Sequence, residues 1–266
     1  MSIKKSIRSK KGISLKVQRG NSHILHPYRA DNDEPESLFE RFPWLYAFCR
    51  EYLFHDHTGE IERSLWPDDG PAAGSRVIEL GCGPGFYACR LAEHFHQLHV
   101  IGIDRSELLL TRARLRAQAR RLTNCRFEKD DVLTLSRCTS TVDAMIASRL
   151  FTILAEREQA LAEIYRVLRP GGRCFIAEPR SSLRAAAPLS LMWLCARLLA
   201  LCGDRARVYR EPSRVAVMTE CEFDRLIDSQ PWKRVWHRQD AWYRYAVCEK
   251  GQTALGELSV GGASLQ

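Results

Sequence analysis

Between Arg76 and Pro179, short apolar runs alternate with longer stretches whose apolar positions recur at helical spacing. That alternation predicts a doubly wound α/β fold with a mostly parallel sheet. Strands are expected at Arg76–Leu80, His99–Asp104, Cys125–Asp130, Val142–Ser148 and Arg173–Ala177, with helices between them. Ser106 is a good N-cap for a helix running through Leu108, Leu109, Ala113, Leu115 and Ala119. Another helix carries Ala160, Leu161, Ile164, Val167 and Leu168 on one face, and Pro170-Gly171-Gly172 predicts a turn at its end. Near the end of the chain, Thr219-Glu220-Cys221-Glu222 reads as a capping box opening a helix to Ser229. Strand-like runs at Arg234–His237 and Tyr243–Cys248 follow and bring the expected sheet to seven strands.

Outside this core the pattern changes. Residues 1–35 are basic and then acidic without sustained periodicity, which predicts a disordered arm. Over 36–70, Leu38, Phe39, Phe42, Trp44, Leu45, Phe48, Tyr52 and Leu53 recur at helical spacing, with Pro43 as an early break, so a helical cap is expected before the core. The core α/β domain itself is expected over 71–250, with a helical lid insertion at 181–216 after the fifth strand and a loose tail at 251–266. The apolar stretch Leu183–Cys202 is interrupted by Arg184, Pro188 and Arg197, so no run approaches the roughly 18 to 20 uncharged residues of a membrane span.

Charge and cysteine content refine the picture. Lys4, Lys5, Arg8, Lys10, Lys11, Lys16 and Arg19 account for most of the formal charge of +8, and the rest is close to neutral. Such an arm suits loose contact with an anionic membrane surface or RNA, or simply a solvated tail. No apolar segment of signal-peptide type follows it. Ten cysteines without a CxxC pair suggest free thiols in a reducing cytoplasmic setting. His55 and His57 lack helical metal-ligand spacing and a third partner, so no metal is expected.

The candidate chemistry begins at Val77-Ile78-Glu79-Leu80-Gly81-Cys82-Gly83-Pro84-Gly85-Phe86, a strand running into a glycine turn and a helix. Glycines let a ligand approach the backbone at the strand's carboxyl end. No Gly-Lys-Ser/Thr follows, which excludes a P-loop, and the GxGxG spacing with Pro84 inside is a poor match to a dinucleotide fingerprint.

This segment resembles the first motif of class I, Rossmann-like, S-adenosylmethionine-dependent methyltransferases, and the resemblance extends from about Arg76 to Pro179. It implies that Glu79 lies near the donor's methionine ammonium, with Gly81, Cys82, Gly83, Gly85 and Phe86 around the turn. Asp104, ending Ile101-Gly102-Ile103-Asp104, takes the role of the ribose-binding acid, followed by Arg105. In Phe127-Glu128-Lys129-Asp130-Asp131-Val132, register favours Asp131 for the adenine amino group, with Val132 beside it; Ser148 completes the cofactor-binding set.

Methyl transfer from a sulfonium needs positioning more than a dedicated nucleophile. The acceptor is expected beyond the fourth and fifth strands, where Arg149 and Glu178 are the catalytic candidates: a cation for an anionic group and a general base. Tyr46, His57, Arg149, Arg180 and Tyr209 are the substrate-contact candidates. The leading reading is transfer to a small molecule such as a thiol, quinone or lipid-like compound. An RNA or protein methyltransferase using the basic arm, or a non-catalytic donor-binding protein, are the alternatives; the absence of an Asn/Asp-Pro-Pro-aromatic tetrad after the fourth strand argues against nucleic acid.

Overall fold

The computed structural model describes residues 43–52, 54–68, 70–181, 190, 194 and 217–252. The expected basic arm, the insertion at Leu183–Cys202 apart from residues 190 and 194, Tyr209 and all but the first two residues of the tail lie outside the described residues. No described helix is long and apolar enough to cross a membrane.

Among the described residues, two short helices precede the sheet, α1 (Pro43–Tyr52) and α2 (Thr58–Leu65). Pro43 opens α1 rather than breaking it, because a proline at the first helical position gives up only an amide that would have no intrahelical partner. Then come β1 (Arg76–Leu80), α3 (Phe86–His94), β2 (His99–Asp104), α4 (Glu107–Ala119), β3 (Cys125–Lys129), β4 (Val142–Ser148), α5 (Arg157–Val167), β5 (Leu168–Pro179), α6 (Glu220–Asp228), β6 (Trp232–Gln239) and β7 (Tyr243–Lys250). The sheet has seven strands in the order β3-β2-β1-β4-β5-β7-β6, parallel except for β7.

Side chains alternate across this sheet as the pleat requires. Ile78, Leu80, Met145 and Ile176 pack under α5 and α6, while Val77, Val100, Ile146 and Phe175 pack against α2, α3 and α4. Each fully buried side chain of this size contributes about 1.5–3 kcal/mol. The caps also behave as expected: Ser106 Oγ accepts from the Leu109 amide, and Thr219 and Glu222 form a complete capping box. On α4, however, Leu108 and Leu115 are exposed and Leu109, Leu110, Ala113 and Ala117 form the buried face.

The Pro170-Gly171-Gly172 turn is absorbed into β5. Val142 pairs with Leu168 and Ala144 with Arg173, so residues 169–172 bulge out of register, with Gly171 at φ +75°. The strand therefore starts earlier than hydrophobicity suggests.

Register places the site. Leu80 pairs with both Ile103 and Ala147, and Ser148 pairs with Ala177. The residues just past β1, β2, β4 and β5 thus emerge along one edge, at the point where strand order reverses between β1 and β4. In open α/β sheets that crevice is where ligands bind.

Candidate active site

The turn after β1 is built from glycines at positive φ: Gly81 at +62°, Gly83 at +51° and Gly85 at +72°. At Gly85 the requirement is also steric. A Cβ there would sit 2.7 Å from the Phe127 ring and 2.9 Å from Ala113. The turn closes through Gly85 N–H donating to Cys82 O at 2.9 Å, and the Cys82 amide donates to Ile103 O at 2.9 Å. Cys82 itself is buried, and burial pushes its thiol well above the ordinary range, so it packs rather than reacts.

Two carboxylates flank this turn, and two more follow β3. Glu79 faces α3, its Oε2 accepting from the Ala88 amide at 2.7 Å; burial pushes its pKa up to about 7. Asp104 Oδ2 accepts from Gly83 N–H at 2.8 Å and Oδ1 from Ser106 N–H at 2.9 Å, and burial raises this group as well. Past β3, the two neighbouring aspartates divide their work. Asp130 accepts from the Asp131 amide, the Ser136 amide and the Ser136 hydroxyl, which ties down the loop. Among the described residues Asp131 accepts a hydrogen bond only from Leu133 N–H, at 3.0 Å, and it lies 3.8 Å from Arg105 Nε, leaving oxygen capacity for another donor. Val132 is buried beside it.

Phe86 is almost wholly buried and serves as a platform, with the guanidinium of Arg50 4.0 Å and that of Arg90 4.4 Å from its ring centre. Tyr46, half-buried on α1, lies against the turn: its Cε1 is 3.0 Å from the position of a Cβ on Gly83. Ser148 hydrogen-bonds the Tyr87 side chain.

Beyond β4, Arg149 takes the left-handed conformation at φ +58° while its amide donates to Ala177 O at 2.8 Å. Non-glycine residues reach this region at a cost and cluster at functional sites. Its guanidinium donates to the Tyr243 hydroxyl at 3.1 Å and lies 4.3 Å from the centre of the Phe54 ring. Glu178 is buried with both oxygens occupied: Oε1 accepts from Phe151 N–H at 2.9 Å, and Oε2 from Thr152 N–H at 3.2 Å and from the Thr152 hydroxyl. Burial lifts its pKa to about 7. Arg180 turns away, exposed and donating to Asp240 O at 2.6 Å in the β6–β7 turn.

His57 is fully buried inside an aromatic cluster, with Tyr243, Tyr245, Tyr87 and Phe175 ring centres 4.4, 5.4, 6.2 and 6.4 Å away. Burial, then the neighbouring His55 and Arg50, push its pKa down to about 3, so it is neutral. Tyr245 donates to Asp240 Oδ2 at 2.8 Å and faces His57 Nδ1 at 3.5 Å, while His57 Nε2 is buried with no hydrogen-bond partner among the described residues. Sequence reasoning did not single out Arg50, Phe54, Tyr87 or Tyr243. Arg50 did leave a trace: it is a charged residue one turn after Tyr46 and next to Cys49, on the buried face of α1.

Comparison with known proteins agrees with this fold. Residues 71–239 match a family described as a methyltransferase domain. A demethylmenaquinone methyltransferase of Deinococcus radiodurans is 34% identical over 157 residues, covering 54% of this chain and 65% of that protein. A trans-aconitate 2-methyltransferase of the same organism is 33% identical over 105 residues, covering 40% of this chain and 38% of that protein. The chain therefore spans less than two thirds of either relative. In fold it resembles a putative S-adenosyl-L-methionine-dependent methyltransferase from Methanococcus maripaludis, with TM-score 0.60 and 13% identity over 85% of this chain and all of that one. With the glycine turn, its flanking carboxylates and the β3-β2-β1-β4-β5-β7-β6 sheet, the chain belongs to the class I S-adenosylmethionine-dependent methyltransferases.

Proposed function

We propose that this protein transfers a methyl group from S-adenosylmethionine to a small-molecule acceptor. The observation that carries the reading is the glycine turn held between Glu79 and Asp104, with Asp131 at the neighbouring strand tip. The donor has an ammonium, ribose hydroxyls and an adenine amino group but no phosphate, and three carboxylates at one edge fit such a molecule. Glu79 would take the ammonium, Asp104 the ribose hydroxyls and Asp131 the adenine amino group. When bound, the donor supplies a methyl group already activated by its sulfonium.

The chain's own part is then positioning and exclusion of water. Arg149, held by Tyr243 and Phe54, would orient an acceptor oxygen or an anionic group beside it. Glu178 is better suited to positioning than to proton transfer, because its oxygens hold the 151–152 turn that follows Arg149. His57 would act through its aromatic neighbours, and Tyr46 would cover the turn. Relatives named for demethylmenaquinone and trans-aconitate support a compact organic acceptor over a macromolecule.

Calorimetric titration with S-adenosylhomocysteine, paired with a labelled-methyl screen over quinols, thiols, carboxylic acids, phospholipids and total RNA, tests this. Uptake of the product nucleoside and transfer to one small-molecule class are expected. No uptake, or transfer to RNA alone, would overturn the reading.

A further inference from the structure

A helix on the surface of an α/β core ordinarily turns its polar side to water. The outer side of α1 does not. While Cys49 and Arg50 are buried on its inner side, Trp44, Phe48 and Tyr52, spaced one turn apart, are 52%, 52% and 71% exposed, and the Phe48 and Tyr52 ring centres lie 4.9 Å apart. Single exposed apolar side chains are common, but a row of three aromatics along one helix is not, because rings held in water forgo the stabilisation that burial would give them.

The row does not stand alone. Glu51 of α1 pairs with Arg116 of α4 at 2.9 Å, which sets the two helices side by side. On α4, Leu108 and Leu115 are exposed, with the exposed Arg112 between them in sequence. Of the nine large hydrophobic side chains exposed among the described residues, five therefore lie on these two helices. Charge there is one-sided: residues 105–121 hold Arg105, Arg112, Arg114, Arg116, Arg120 and Arg121 against the single acid Glu107. Glu107 pairs with Arg114, and Glu51 and Glu93 with Arg116 and Arg120, which leaves Arg112 and Arg121 outside any ion pair among the described residues. Ahead of α1 in sequence, the first twenty residues add seven cations and no acid.

Exposed aromatic rings, leucines and arginines on adjoining helices match one kind of surface. The headgroup layer of a bilayer takes Trp and Tyr rings at its boundary with the acyl chains, shelters leucines just below and, where its lipids are anionic, attracts Arg and Lys. A nucleic-acid strand would stack bases on rings and hold phosphates with cations, but the exposed leucines would gain little from it. A second copy of this chain in a two-fold contact would bring Arg112 and Arg121 against the same cations of its partner. We propose that the exposed faces of α1 and α4 dock on an anionic lipid bilayer. Trp44, Phe48 and Tyr52 enter the headgroup layer, and Arg112 and Arg121, together with the basic arm, meet its phosphates. The inference stands independently of the donor reading, since it concerns the side of α1 that faces away from the glycine turn.

Sedimentation of the full chain with extruded vesicles tests this, with phosphatidylcholine alone and with phosphatidylcholine mixed with phosphatidylglycerol. The wild type should bind the mixed vesicles at least about 10-fold more tightly than the neutral ones, and added salt should weaken that binding. Trp44→Ser combined with Phe48→Ser should lower the partition coefficient about 10-fold or more, and Arg112→Glu by about 10-fold. Trp236→Ser, which removes an exposed ring on β6, should change it by less than about twofold. If the double variant does not fold, Trp44→Phe keeps α1 apolar and decides by fluorescence: mixed vesicles with brominated acyl chains should quench tryptophan emission in the wild type, and Trp44→Phe should reduce that quenching. Equal binding to neutral and anionic vesicles, or quenching that Trp44→Phe leaves unchanged, would overturn the proposal. So would vesicle binding that neither the double variant nor Arg112→Glu weakens, which would leave the basic arm as the only contact. Binding to single-stranded RNA, or self-association, that the double variant abolishes while vesicles are not bound would assign this face to that partner and overturn the lipid reading.

Discussion

Gly83 N–H donates to Asp104 Oδ2 at 2.8 Å, a bond between residues 21 apart in sequence that joins the glycine turn after β1 to the tip of β2. The second Asp104 oxygen holds the Ser106 amide at the start of α4. One carboxylate thus sets the width of the crevice at the strand-order reversal, and each oxygen keeps a lone pair for a ligand hydroxyl.

Asp104→Ala should therefore weaken donor binding and loosen the turn together. Loss of two ligand hydrogen bonds to a charged group predicts at least roughly 100-fold lower affinity for S-adenosylhomocysteine, and the orphaned amides predict a stability loss of about 1–3 kcal/mol each. Calorimetry and urea unfolding measure the two effects. Unchanged affinity would remove Asp104 from the ribose contact.

Glu79 and Glu178 give the protein a pH signature. Both carboxyls have pKa values raised by burial from 4.5 to about 7, so the folded state holds their protons more tightly than the unfolded state does. The stability each contributes is fully present below about pH 4.5 and is lost as pH rises to about 7, on the order of 3 kcal/mol per group. Urea unfolding between pH 5 and pH 8 should show this decline, and Glu79→Gln should flatten part of it. Because a donor ammonium pairs with the ionised carboxylate, affinity for S-adenosylhomocysteine should rise over the same interval in the wild type and much less in Glu79→Gln. A pH-independent affinity in the wild type would contradict the pairing.

The parts of the site legible in the sequence are those built from contiguous residues. The turn from Glu79 to Phe86 specifies itself, because the glycines sit where φ must be positive and the strand before them is apolar. The acids after β2 and β3 could be placed because parallel strands of known order end at one edge. Arg50, Tyr87, Tyr243 and the burial of His57 depend instead on how α1, α2 and β7 pack over that edge, which no local pattern encodes. His57 lies in the polar-looking run His55-Asp56-His57-Thr58, yet it is fully buried because α2 presses it against Tyr243 and Tyr245. The bulge at residues 169–172 was hidden for a different reason: Pro170-Gly171-Gly172 has the composition of a turn, and only strand pairing on both sides of it makes the segment part of β5.

Gly85 tests the steric side of the turn. Gly85→Ala would need both a left-handed alanine and displacement of Phe127 or Ala113, so a loss of about 2–5 kcal/mol is expected. Gly74 has a similar φ of +78° with nothing within 4 Å of an added Cβ, so Gly74→Ala should lose only the conformational part, about 1–2 kcal/mol. Equal losses in the two variants would show that crowding at Phe127 is not what requires glycine.

Arg149 should report on the acceptor and not the donor. Arg149→Ala is expected to raise KM for the acceptor about 10- to 100-fold, the range for loss of a hydrogen bond to a charged group, with S-adenosylhomocysteine affinity within about twofold of wild type. Tyr243→Phe removes the hydroxyl that accepts from Arg149 at 3.1 Å and should shift KM in the same direction by less. A donor-affinity loss as large as the KM change would move Arg149 into the donor site.

Glu178 separates two mechanisms that both make it essential. As a general base it would impose a limb near its own pKa of about 7 on the pH dependence of kcat, and Glu178→Gln would abolish that limb. As the tether of the turn after Arg149 it contributes through three accepted hydrogen bonds, from Phe151 N–H, Thr152 N–H and the Thr152 hydroxyl. An amide at this position presents an N–H group toward buried donors, at a cost of about 1–3 kcal/mol for each left unpaired. The three hydrogen bonds already accepted favour the tether. Glu178→Gln should therefore lower Tm and kcat together and raise the acceptor KM, because the displaced turn carries Arg149 with it, while any limb in the pH profile stays where it was. Thr152→Val removes only the hydroxyl and should give a smaller version of the same changes. Loss of the limb at unchanged Tm would instead assign the proton transfer to Glu178.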